Sequence, residues 1–165
     1  MKKILIVDDE QDIGRLVMRC LAKTGLYEVT FTSLPEEAEQ LCSELMPDLV
    51  LLDLVMPGVA GEDLIKRIKQ HPELKDARII VTSGLGEMTY HQKKDEWKWE
   101  PNRPIVRERG PVEKEHSASR MAEKLGVDDF IAKPFSPQTL LSVVDEVLSR
   151  PPNFEDRDED QKKTE

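Results

Sequence analysis

The sequence predicts an α/β fold, a doubly wound five-stranded parallel sheet with helices on both faces. Three observations predict it. Short apolar runs recur at residues 4–7, 49–52, 79–81 and 130–132, and runs of this kind read as strands buried on both faces. The stretches between them repeat their apolar residues at helical spacing, which places a crossover helix after each strand. Each run also stops on a functional group: Asp8-Asp9, Asp53, Thr82-Ser83 and Lys133-Pro134. In open parallel sheets the ligand site lies beyond the carboxyl ends of the strands, so these groups are expected on one patch.

Each element has its own justification. After the first strand, a helix over about 12–24 puts Ile13, Leu16, Val17, Cys20 and Leu21 on one face, and Gly25 stops it. Residues 27–31 form the second strand. Ser33-Leu34-Pro35-Glu36 has the form of a capping box, with Ser33 as N-cap. Ala38, Leu41, Cys42 and Leu45 line the following helix, and Met46-Pro47 ends it. The third strand ends at Asp53. Residues 56–61 make a compact turn before a helix carrying Leu64, Ile65 and Ile68, which ends near His71-Pro72. The fourth strand is 79–81. A short helix carrying Ala118, Met121, Ala122 and Leu125 stops at Gly126, and 130–132 is the fifth strand. Ser136-Pro137 opens the last helix as N-cap and N1, with Leu140, Leu141, Val144, Val147 and Leu148 toward the sheet.

Composition narrows the function classes. The chain has 165 residues, a net charge of −9 and a pI near 5.0, so general nucleic-acid affinity and direct DNA binding are not expected. Cys20 and Cys42 fall on apolar helix positions and read as buried thiols in a reducing compartment. The apolar run after Met-Lys-Lys is too short for a signal peptide core, and no stretch reads as a membrane span. The expected location is the cytoplasm. The charged residues 151–165 read as a disordered tail following a domain over 1–150.

The patch has a definite chemistry. Two carboxylates about 4 Å apart repel by about 4 kcal/mol at an effective dielectric near 20, so Asp8, Asp9 and Asp53 need a proton, a lysine or a metal between them. Carboxylates and water suit Mg²⁺, with Mn²⁺ as an alternative ion. A carboxylate beside such an ion can attack phosphorus and form an aspartyl phosphate, while the ion and a lysine stabilise the phosphoryl oxygens.

These residues resemble the receiver domain of bacterial two-component response regulators. The motifs are Asp8-Asp9, Asp53-Leu54-Val55-Met56-Pro57 with Gly61, Thr82, and Lys133-Pro134-Phe135. They cover residues 1–85 and about 117–150. The resemblance implies a flavodoxin-like strand order 2-1-3-4-5. It makes Asp53 the phosphoacceptor, Asp9 a direct Mg²⁺ ligand, Asp8 an acid acting on the ion mainly through water, and the Val55 carbonyl the third protein ligand. Thr82 becomes the switch hydroxyl and Lys133 the phosphoryl-pairing amine. Phe130 stands where the family has its switch aromatic, Pro134 where it has a cis-proline, and Pro57 and Gly61 are structural. The implied donor is a sensor histidine kinase or a histidine phosphotransfer protein, with a downstream protein target the sequence does not name. The chemistry is self-phosphorylation and self-dephosphorylation rather than turnover of a substrate. Neither Val55 nor Gly84 can orient an attacking water, so slow hydrolysis of the acyl phosphate is expected.

The chain departs from the family between Thr82 and Lys133, which lie farther apart than the family's spacing. The extra length reads as an insertion over about 85–116. Trp97-Lys98-Trp99 alternates like a strand, with residues 103–109 as its expected hairpin partner. Trp97 and Trp99 are candidate docking residues, since tryptophan is favoured at interfaces. Two other functions compete. One is a phosphatase of the haloacid dehalogenase type, which needs an acid where Val55 stands; turnover of a phosphate ester would reveal it. The other is an interaction module acting through the insertion alone, in which Asp53 would take no phosphoryl group.

Overall fold

The computed structural model describes residues 1–74, 76–83, 86–91, 96–101 and 126–151. Five parallel strands make the central sheet: β1 (Lys2–Val7), β2 (Tyr27–Thr32), β3 (Leu49–Asp53), β6 (Arg78–Ser83) and β9 (Asp129–Ala132). Among the described residues there are also two short pairs, β4 (Val55–Met56) with β5 (Val59–Ala60), and β7 (Gly86–His91) with β8 (Glu96–Pro101). The α-helices among the described residues are α1 (Gln11–Ala22), α2 (Ala38–Leu45), α3 (Gly61–Gln70) and α4 (Pro137–Ser149). The sheet order is β2-β1-β3-β6-β9 with every neighbouring pair parallel. This is the order expected from the resemblance.

Residues alternate across each strand, so the apolar runs serve two cores. Leu5, Val7, Val50, Leu52, Ile79 and Val81 pack with Ala38 and Cys42 of α2 and with Leu64, Ile65 and Ile68 of α3. Ile4, Ile6, Leu49, Leu51, Ile80 and Ile131 pack with Val17 and Leu21 of α1 and with Leu140, Val144 and Val147 of α4. Both faces are therefore covered, which is why the strands are apolar throughout rather than alternating with polar residues.

Several local expectations need correction. Leu16 is 59% exposed; the face of α1 turned to the sheet uses Gly14 instead, which lies against the Phe31 ring. Ser33 caps no helix. The segment opens with a 3₁₀ turn, Pro35–Glu37. Thr32, one residue earlier, makes a local turn instead: its hydroxyl accepts from Leu34 N at 3.1 Å and donates to the Glu37 carboxylate at 3.1 Å. Cys20 is half-buried rather than buried; Cys42 is buried and both thiols are free. β8 pairs with β7, upstream of it, with Tyr90 opposite Trp97 and Met88 opposite Trp99. Residues 103–109, the helix expected before Gly126 and the tail beyond Pro151 lie outside the described residues. Ser136 does cap the last helix, accepting from Thr139 N at 3.0 Å.

Candidate functional site at the carboxyl ends of the strands

Because all five strands run the same way, β1, β3, β6 and β9 bring Asp8, Asp53, Thr82 and Lys133 to one end of the sheet. Asp53 stands directly opposite Thr82 in register. Asp8, Asp53 and Thr82 are all buried, at 4%, 3% and 5% exposure. The Lys133 ammonium lies between the two aspartates, 2.7 Å from Asp8 Oδ2 and 2.9 Å from Asp53 Oδ2.

Local backbone geometry sets this arrangement. Asp8 Oδ1 accepts from Glu10 N at 2.9 Å, and Asp53 Oδ1 accepts from Val55 N at 3.0 Å. Both are Asx turns, in which a carboxylate bonds the backbone two residues on. Each aspartate thus commits one oxygen to turning its own chain and keeps Oδ2 for the lysine. Leu54 N donates to the Thr82 carbonyl at 2.9 Å, which ties the end of β3 to β6 just past the acceptor position. Gly61 opens α3 because a Cβ there would stand 2.7 Å from the Leu54 carbonyl oxygen and 2.9 Å from Leu54 Cα. Pro57 is exposed in the turn joining β4 to β5, where Gly58 has a φ of +81°. The Lys133–Pro134 peptide is cis.

The electrostatics follow the burial. Burial raises the Asp8 carboxyl above its ordinary value, and the bond from Lys133 opposes that rise without cancelling it. Burial and then the Asp53 charge raise Asp9. For Lys133, burial alone would lower the ammonium, but its bonds to Asp8 and Asp53 outweigh that and hold it above its usual value. The lysine is therefore fully charged at neutral pH and neutralises part of the acid cluster.

A further acid joins the site unannounced by the motif reading. Glu10 Oε1 lies 3.3 Å from Lys133 Nζ, and carboxylate oxygens of Asp8, Glu10 and Asp53 all fall within 4.8 Å of one another. Asp9, expected as a direct metal ligand, is half-buried and is not part of that close group. Glu10 was hidden beside Asp8-Asp9, where a third acid reads as first-turn helix chemistry. The only signal was its place in the turn, which the Asp8 side chain pins. Carboxylate oxygens with an excess of negative charge over one ammonium suit a hard divalent cation such as Mg²⁺, so the residues present fit that ion.

The remaining expected residues sit around this centre. Val55 is 43% exposed, with its backbone N–H committed to Asp53. Phe130 is opposite Val81 in register and partly buried against the α2/α3 core. Trp97 and Trp99 belong to the β7–β8 hairpin rather than to the acid cluster.

Comparison with known proteins agrees with this geometry. The family model described as the response regulator receiver domain matches residues 4–96. A phosphate regulon transcriptional regulatory protein PhoB of Rhizobium meliloti is 31% identical over 91% of this chain and 53% of its own length. The chain spans about half the length of the curated relatives it matches. A Chloroflexus aurantiacus protein crystallised as a candidate response regulator superposes with a TM-score of 0.67 at 29% identity, covering 90% of this chain and 98% of that one. The chemotaxis protein CheY4 of Vibrio cholerae, at 24% identity, shares the fold with a TM-score of 0.64 over 89% of this chain and 98% of its own.

Proposed function

The chain belongs to the response regulator receiver domain family, the signalling domain of two-component systems, and from that premise we propose that Asp53 accepts a phosphoryl group from a phosphohistidine donor in a Mg²⁺-dependent reaction. The observation that carries this reading is the placement of the Lys133 ammonium 2.9 Å from the buried Asp53 carboxylate and 2.7 Å from Asp8. An Asp53 oxygen attacks the donor phosphorus, the phosphorus–nitrogen bond breaks, and the imidazole leaves with the bonding pair. Lys133, already charged and in place, pairs with a phosphoryl oxygen. In this reading the hydroxyl of Thr82, the residue opposite Asp53 in register, meets another. Asp8, Asp9, Asp53 and the Val55 carbonyl would hold Mg²⁺, which when bound supplies positive charge to the phosphoryl oxygens.

The donor in this reading is a sensor histidine kinase or a histidine phosphotransfer protein, and the output is a conformational change read by a protein target. Turnover is limited to the protein's own phosphorylation and hydrolysis, and Val55 offers no acid for a phosphatase cycle. A cytoplasmic location is proposed from the receiver family alone; separately, among the described residues no helix is long and apolar enough to cross a membrane. We assign residues 1–150 to the receiver, with the segment that carries the β7–β8 hairpin as an insertion and 151–165 as a tail. Incubation with acetyl phosphate and Mg²⁺ tests the chemistry by intact mass. One phosphoryl group should be gained, and the gain should vanish in Asp53→Ala and on chelation of the metal. Equal labelling of Asp53→Ala would refute the assignment.

A further inference from the structure

Glu10 is unused in the chemistry above, yet the fold places it with care. It is the N-cap of α1, its backbone carbonyl accepts from Gly14 N at 2.9 Å, and its N–H is held by Asp8. Its side chain is 56% exposed while that of Lys133 is 8% exposed, so it reaches inward from the rim. An ammonium has three N–H bonds, and Lys133 has three carboxylates in reach. Two contacts, at 2.7 and 2.9 Å, have the length of formed charge-assisted bonds. The third, to Glu10, is 3.3 Å and has room to tighten. Asp8 and Asp53 are also two of the carboxylates that would hold a divalent cation, so ion and ammonium would compete for them. Glu10 offers the ammonium a carboxylate on the solvent side of that competition.

We propose that Glu10 is a positioning residue that receives the Lys133 ammonium when a divalent cation engages Asp8 and Asp53. The lysine then stays at the rim of the site, ready for a phosphoryl oxygen, rather than blocking the ion. This rests on the reading of Asp53 as a Mg²⁺-dependent phosphoacceptor, but it concerns metal binding before any phosphoryl transfer.

The test is a double-mutant cycle on Mg²⁺ affinity measured by titration calorimetry with wild type, Glu10→Gln, Lys133→Ala and the pair. Glu10→Gln should weaken Mg²⁺ binding by about 2- to 5-fold, the range of a partly exposed charge pair. In the Lys133→Ala background the same change should lose at least half of that effect. Equal weakening in both backgrounds would make Glu10 a plain charge or a direct ligand and overturn the proposal, as would unchanged or tighter binding in Glu10→Gln. A wild type that binds no Mg²⁺ would overturn the phosphoacceptor reading along with it, whereas a wild type that binds normally with an additive cycle sinks only the role of Glu10. Should Lys133→Ala fail to fold, lysine ammonium NMR of wild type and Glu10→Gln decides. With Mg²⁺ bound, the Lys133 ammonium should be protected from solvent exchange in wild type and lose that protection in Glu10→Gln. Equal protection would overturn the proposal.

Discussion

Asp8 and Asp53 share one device: an oxygen spent on the backbone two residues ahead and an oxygen left for Lys133. Their types and spacing were legible because each follows an apolar run directly. Glu10 was not, because its role depends on a contact with a residue far along the chain. Two glycines illustrate the same divide. A Cβ on Gly61 meets the Leu54 backbone, which cannot give way, while the atoms nearest a Cβ on Gly14 belong to the far end of the partly exposed Phe31 ring. Gly61→Ala should cost about 1–3 kcal/mol through overpacking. Gly14→Ala should stay within about 1 kcal/mol of wild type, since helix propensity offsets the ring's displacement. Urea unfolding of both variants checks the contrast, and equal costs would refute it. Val55, exposed beside the acceptor, carries no group to orient water. Val55→Asn should speed decay of the acyl phosphate by roughly ten-fold or more, measured after the donor is removed; an unchanged decay would show that water is ordered elsewhere.

At the scale of elements, Asp48 joins three strands at the other end of the sheet. Its side chain accepts from Lys2 Nζ at 2.7 Å and Lys3 N at 2.8 Å. Its backbone donates to the Lys3 carbonyl and accepts from Arg78 N, both at 2.9 Å. Burial would raise its carboxyl, but the bonds from Lys2 and Lys3 prevail and hold it below the ordinary 3.8. A group depressed in the fold stabilises it above its unfolded value and loses that contribution as pH falls through its folded value. The urea midpoint of wild type should therefore drop more steeply below about pH 4 than that of Asp48→Asn. Parallel profiles would show that Asp48 contributes nothing. The strands themselves were legible from their apolar runs, but local choices among polar residues were not. Ser33 reads as a cap in sequence, yet the 3₁₀ turn has no side-chain cap, and the hydroxyl that bonds into it is that of Thr32. The pairing of β7 with β8 was hidden for a similar reason: residues 86–91 carry little strand signal, yet they lie so near 96–101 in sequence that the pairing is cheap in loop entropy.

At the scale of the whole molecule, sheet order does the decisive work. Parallel strands in the order β2-β1-β3-β6-β9 carry Asp8, Asp53, Thr82 and Lys133 to one edge, although the last lies 80 residues beyond Asp53. Strand-end chemistry and alternation were enough to foresee that convergence. The hairpin β7–β8 lies between Thr82 and Lys133 in sequence, and the five-stranded sheet keeps its order. The central claim is that this convergence makes Asp53 the acceptor of a phosphoryl group. Borohydride reduces an acyl phosphate to an alcohol and so marks the acceptor permanently. After treatment with acetyl phosphate, Mg²⁺ and then borohydride, peptide mapping should find homoserine at position 53 and at no other aspartate. Intact aspartate at position 53 in protein that has gained a phosphoryl group would contradict the account.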